Sequence, residues 1–191
     1  MDMAQTIALS AGLAWASGLR LYLVVFLAGV LAHFGYLHLP DTLSMLQNPL
    51  VIGVAGIMAF AELIADKVPA FDSLWDTVQT FIRIPAGALL AAFALGDVDP
   101  AWMVAAGLIG GTITAGTHFA KAGSRLAINT SPEPFSNWIA SFGEEGMVLA
   151  GLWAMLASPL VFLGLLAIFL IVAGFLLVRL WGFLGRLFRR V

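Results

Sequence analysis

Apolar residues in this chain fall into long runs separated by short polar connections, and the runs approach the length of a bilayer crossing, about 20 residues. The segments read as Thr6–Phe34, Pro49–Asp66, Pro85–Leu95, Ala101–Lys121, Ile139–Ala157 and Leu160–Leu180. The third is short, and the stretch from Ser73 to Arg83 reads as a helix joined to it. The pattern predicts an all-α polytopic transmembrane bundle of about six spans. The small pair Ser17-Gly18 marks a break or bend in the first of them. The closing "RLWGFLGRLFRR" reads as a basic amphipathic segment at a membrane interface. This divides the chain into a transmembrane bundle, 1–180, and a tail, 181–191.

Composition removes the soluble alternative. Hydrophobic residues make up 61% of the 191 and charged residues 10%, against about 45–50% and 25% in ordinary soluble domains. The mean hydropathy is +1.00, more than a single water-surrounded core absorbs. There is no cysteine, which excludes disulfides and thiolate-held metals. The start, Met1-Asp2-Met3, has no basic region of the kind a cleaved secretory signal carries. Lys67 and Arg83 flank one connection, Lys121 and Arg125 open another, and Arg179, Arg186, Arg189 and Arg190 gather at the end. The connections "GYLHLPDTLSMLQNP", "GDVDP" and "ASP" contain no Lys or Arg. By the positive-inside rule the basic set is cytoplasmic, and six spans then place both termini in the cytoplasm. Nothing in this charge pattern points to nucleic acid.

The two basic connections share an outline: Lys, then proline, then Phe71…Trp75 in one and Phe135…Trp138 in the other. Spans two–three and four–five would then form a weak internal repeat about an axis along the membrane normal, a device used by transporters.

The ionisable residues converge. Glu62 and Asp66 share a helix face, as do His118, Lys121 and Arg125. Glu144 and Glu145 lie about two turns into the fifth span, and Arg20 is the lone charge of the first. Together they form a candidate substrate-binding layer near the cytoplasmic side. Interhelical ion pairing is the plain alternative, because intramembrane charges pair with one another. Lys67, Asp72, Trp75, Asp76, Arg83, Asn129, Ser131, Glu133 and Asn137 are candidate loop contacts. Asp72 and Asp76 have the i, i+4 spacing that can hold Mg²⁺ against a diphosphate, although Ser73-x-x-Asp76 also reads as a capping box. Ser131 with Pro132 reads as a helix start, whose free N–H groups suit an anion. His33 and His38 lie far from His118, so no zinc site forms. Gly107, Gly110, Gly111 and Gly116 supply a small-residue surface for packing within the chain or between copies.

"SGLR", "ADKVPAFDSLWDTVQTFIRIPAGA", "HFAKAGSR" and "NTSPEPFSN" together resemble a family of small bacterial multi-pass membrane proteins known as a domain of unknown function. The resemblance covers nearly the whole chain except the tail. It implies a bacterial inner-membrane location and carries over no activity, substrate or catalytic residue. Three readings follow from the residues: a transporter or channel for a small anionic solute, an inner-leaflet binding protein or enzyme for a lipid or polyprenyl phosphate, and a structural or assembly protein. The transporter reading needs no cofactor. Mg²⁺ enters only with lipid phosphate, and no nucleophile or general base marks an enzyme.

Overall fold

A computed structural model describes residues 2–68, 71–129 and 134–188, with the side chains of Ser73, Pro134 and 180–188 outside the description. Every regular element among the described residues is helical. The elements are α1 (Met3–His33), a short 3₁₀ turn (Asp41–Gln47), α2 (Pro49–Ala65), α3 (Phe71–Phe93), α4 (Pro100–Ile128), α5 (Pro134–Ala157) and α6 (Pro159–Phe188). Local chemistry sets several starts. Asp2 caps α1 in a capping box with Gln5, and Asn48 and Asp99 cap α2 and α4, each followed by proline at the first helical position, where the missing N–H costs nothing.

The first helix departs most from expectation. Its break falls at Arg20 itself (φ −147°, ψ 77°) and not at Ser17-Gly18. Ser17 stays helical and donates its hydroxyl back to the Leu13 carbonyl at 2.6 Å. The chain reverses at this break, and the contacts of the two limbs trace the reversal. Along limb 3–19, Ser10 bonds the Ala91 carbonyl near the end of α3, the Ala14 carbonyl accepts from Thr114, and Gly18 lies against Thr114, Thr117 and His118. Along limb 21–33, Tyr22 accepts from Gln79 early in α3, Phe26 lies beside Gly56, and Gly29 abuts the Leu46 carbonyl. The 3₁₀ turn in its turn bonds Phe93 at the end of α3 through Thr42. Limb 3–19 therefore descends beside α3 and α4, and limb 21–33 climbs back to the same end. Gln5 and His38 accordingly line one cavity.

α1 is thus a re-entrant hairpin. Its limbs of 17 and 13 residues extend about 26 and 20 Å at 1.5 Å per residue, short of the ~30 Å hydrocarbon core. The single crossing expected for the first segment is corrected. α2 to α6 then alternate in direction. α6 descends from Ser158, with Phe162 beside Gly12 and Phe169 on the Trp15 ring. The two termini of the described chain therefore leave at opposite ends of the bundle, which corrects their placement on one side. By length and hydropathy alone α4, α5 and α6 qualify as spans, α1 would do so only if its 31 residues were counted as one unbroken helix, and the 3₁₀ turn with α2 forms a further pair bent by 67°.

The short third segment and the helix expected before it are one helix, α3, which carries Pro85 within it. Because α3 begins at Phe71, Ser73 lies within the helix and not at the N-cap position expected of it. The tail continues α6 through Phe188.

α1 occupies the centre. Leu9, Leu13, Leu19 and Val24 are buried, whereas Ile57, Leu108, Trp153 and Ile171 on the surrounding helices are each about 70% exposed. An apolar exterior around a buried core is what lipid solvent selects. Small residues allow the close fit. Gly18, Gly87 and Gly110 lie where a Cβ would collide with Thr114, Thr114 and Ala91 respectively, while Gly107 and Gly111 lie against α3. The glycine face of α4 is thus used within the chain, although Gly116 faces open space.

Candidate functional site: a buried ion-pair layer

The end of α2, the first half of α3, the last turns of α4 and the first half of α5 meet at one level, and the tip of the α1 hairpin reaches it from the opposite end. The polar residues sit there by helical periodicity. Asp72, Asp76, Gln79 and Arg83 recur at steps of four, three and four along α3, and His118, Lys121 and Arg125 do so along α4. Four cations, Arg20, Arg83, Lys121 and Arg125, and four carboxylates, Glu62, Asp66, Asp76 and Glu144, are all at most 5% exposed.

Asp66 and Glu144 are the hubs. Asp66 Oδ2 is 3.0 Å from Arg20, 3.0 Å from Lys121 and 3.6 Å from Arg125. Glu144 meets the same three cations at 3.3, 3.5 and 2.9 Å. Arg125 also donates to the backbone carbonyls of Asp66 and Asn137, each at 3.1 Å, tying the ends of α2, α4 and α5 together. Lys121 links this group to the next through Asp76 at 3.3 Å. There Arg83 pairs with Glu62 and with Asp76, the latter at 3.0 Å, and lies 3.2 Å from His118 Nδ1. Thr80 closes the chain 2.7 Å from His118 Nε2.

The hairpin break is part of this layer. Unwinding at Arg20 frees backbone carbonyls from intrahelical bonding, and at membrane depth these need another donor. Lys121 Nζ supplies one to the Leu19 carbonyl at 3.3 Å. Every described contact of the Arg20 side chain runs through Nη2, to Ser141 Oγ at 2.7 Å, Asp66, Glu144 and Glu145. Arg20 Nε is buried with no partner among the described residues. The acceptor side is also underused. Glu62 Oε2, Asp66 Oδ1, Asp76 Oδ2 and Gln79 Oε1 are buried without a donor among the described residues.

The eight residues expected in the binding layer are therefore brought together, with Glu145 at its margin, its side chain 23% exposed. Several expected loop contacts move. Arg83 and Asp76 are not loop residues but centres of the layer. Asp72 gives both carboxylate oxygens to the Asn129 amide at 2.9 and 3.0 Å, and Asn137 donates to Asn129 at 2.8 Å. Asp76 Oδ1 is held by Arg83 and Lys121, so Asp72 and Asp76, the pair at Mg²⁺-binding spacing, each have a protein partner among the described residues. Lys67 lies over the Phe142 ring at 4.7 Å, and Trp75 stacks on Phe71. Ser131 and Glu133 lie outside the described residues. Sequence reasoning missed Thr80, Gln79 and Ser141. The first two were signalled by the polar stripe of α3, whereas nothing local marks Ser141.

The fold and this layer define a helical, multi-pass integral membrane protein whose buried charges are gathered around a re-entrant hairpin. The chain matches the domain of unknown function DUF4126 over residues 7–179 and belongs to that family. No curated protein and no solved structure matches it.

Proposed function

We propose that this protein is a transporter of the bacterial inner membrane that moves a small anion together with a proton. The supporting observation is the hairpin tip. Arg20 sits where the backbone is broken, inside a layer of closely paired charges that includes Asp66 and Glu144. Discontinuous helices that bring charges and free backbone groups to one depth are the usual construction of transporter sites. A purely structural layer would be expected to give its buried oxygens donors, and several here have none among the described residues.

The pairing decides the coupling. Arg20, Lys121 and Arg125, the expected anion contacts, already hold carboxylates, and an added anion would leave an uncompensated buried charge. Protonation of Glu144 releases Arg20 and Arg125 from one partner and keeps the layer neutral when a monoanion takes that place. One proton then accompanies one anion. The positive-inside rule puts the ion layer and the end of α6 on the cytoplasmic side and the α1 termini outside. The α2–α3 and α4–α5 pairs run in the same sense, as a parallel repeat requires.

The test is proteoliposomes loaded with a pH-sensitive dye and given inward gradients of chloride, phosphate or octanesulfonate. At least one anion is expected to drive internal acidification in the wild type and to fall to the level of empty liposomes in Glu144→Gln. Acidification indistinguishable from empty liposomes for all three, or anion flux carrying net charge without protons, overturns the reading.

A further inference from the structure

A cavity of about 270 Å³ opens on the side of the bundle, lined by Leu23 and Phe26 of the returning α1 limb, Gly56, Ala59, Phe60 and Leu63 of α2, and Leu149 of α5, with Arg20 and Glu145 among its walls. α2 and α5, which flank it, scarcely pack against each other, so it faces the lipid as a lateral window. Residues 56, 59, 60 and 63 form one face of α2 over about 10 Å, and Glu145 and Leu149 are one turn apart on α5. On the side of the ion layer, Lys67 over Phe142 bridges the end of α2 to α5. The window is therefore apolar along its length and charged at one end.

We propose that this window is the binding site of a single-chain amphiphile with a carboxylate head, its chain along the α2 face and its head at Arg20. Two observations select this occupant. Arg20 lines the window and keeps one buried guanidinium nitrogen, Nε, without a partner, because its described contacts all fall on Nη2. A carboxylate is the complement of a guanidinium edge. The cavity also lies just below the range of pockets for drug-sized ligands, which admits one short chain and not the two of a phospholipid. The inference rests on the transport reading only for its consequence: it names an amphiphilic anion, entering from the membrane, as the substrate class. Glu145, also in the wall and 3.5 Å from Arg20, borders the place on Arg20 that protonated Glu144 gives up to the head.

The experiment is equilibrium binding of radiolabelled decanoate to the full chain in nanodiscs, with empty nanodiscs subtracted. Unlabelled decanol, acetate, inorganic phosphate and a diacyl phosphatidic acid serve as competitors. Saturable decanoate binding is expected, with decanol, acetate and phosphate competing at least tenfold more weakly than decanoate itself. Ala59→Trp and, separately, Leu149→Trp fill the window away from the ion pairs. Each is expected to weaken decanoate binding at least tenfold while the thermal midpoint stays within a few degrees of wild type. Binding that survives both substitutions, equal competition by decanol, or tighter binding of phosphatidic acid overturns the assignment. Decanoate binding without proton-coupled flux would remove the transport reading alone, and proton-coupled chloride or phosphate flux without decanoate binding would remove this one alone.

Discussion

Asp66→Asn is the sharpest test of how the ion layer is held together. The substitution keeps the shape of the side chain and removes one charge from a group that touches Arg20, Lys121 and Arg125 within 3.6 Å. Removing one partner of a buried ion pair costs about 3–5 kcal/mol, because the other charge stays buried and uncompensated. Glu144 reaches the same three cations at 2.9–3.5 Å and offsets part of the loss, which places the expected cost near the lower limit, about 3 kcal/mol. At about 2–4 °C per kcal/mol for a chain of this size, the thermal midpoint falls by roughly 6–12 °C. Lys121→Met removes one matching cation and keeps an apolar stem of similar length. Alone it is expected to cost a comparable amount, since it also strips the Leu19 carbonyl of its donor. The double variant restores neutrality and is expected to be more stable than the sum of the singles by about 1.5–3 kcal/mol, a coupling of the size that contacting charges show. Unfolding of the purified protein followed by tryptophan fluorescence measures all three. A single variant within 1 kcal/mol of wild type, or singles that simply add, would refute charge balance as what holds the layer.

The remaining expectations concern the hairpin and its supports. The chain has no cysteine, so Met3→Cys, His38→Cys and Ser124→Cys can be labelled singly with an impermeant maleimide in sealed vesicles. The first two are expected to react from one side and the third from the other, and reaction of Met3→Cys from the side of Ser124→Cys would sink the reversal of α1. At Gly18 a Cβ would stand 2.6 Å from the Thr114 carbonyl oxygen and 2.7 Å from the Thr117 Cβ, so Gly18→Ala must push the limb off α4 and is expected to cost about 1–3 kcal/mol. Gly53→Ala meets nothing within 4 Å and is expected to leave the thermal midpoint unchanged or raised, for want of helix-interior glycine. Asn129→Ala removes both amide bonds to the buried Asp72 and is expected to cost about 1–3 kcal/mol, read as loss of midpoint; an unchanged midpoint would show that the α3–α4 latch contributes nothing.

Most of the charged layer was legible because it obeys helical spacing. Glu62 with Asp66, and His118 with Lys121 and Arg125, are three or four residues apart, so each set had to share a face, and an apolar solvent forces such faces inward. Arg83 obeyed the same spacing relative to Asp76 and Gln79, but the short third segment put it in a connection and not in a helix. The reversal of α1 was not legible. Hydropathy measures how long an apolar run is, not its direction, and a turn buried among helices needs none of the polar residues that mark a turn in water. The run does carry one warning: 31 helical residues would extend about 46 Å, far more than the ~30 Å core. The placement of the α3 start at Ser73 failed for a related reason. The helix starts at Phe71, and Asp76 has two cations within 3.3 Å, stronger partners than a backbone N–H.

The hairpin explains how Arg20 is tolerated in the middle of an apolar run. An unbroken first span would hold the guanidinium near mid-membrane, where insertion alone costs about 2.5–3.5 kcal/mol on the most lenient scale. The reversal brings it instead to the level where α2 and α4 end, and to the C-terminal end of limb 3–19, whose carbonyls carry partial negative charge. The break that exposes the Leu19 carbonyl and the cation Lys121 that satisfies it arrive at the same place, so charge and broken backbone stabilise each other. The same arithmetic restricts how the tip can move. Withdrawing Arg20 from Asp66 and Glu144 leaves carboxylates buried against too few cations, at several kcal/mol. Withdrawing it after one carboxylate has taken up a proton, with an anion on the guanidinium, changes no net charge on either side of the separation. A tip built this way moves at low cost only when loaded with both, and it is on that stoichiometry that the proposed coupling stands.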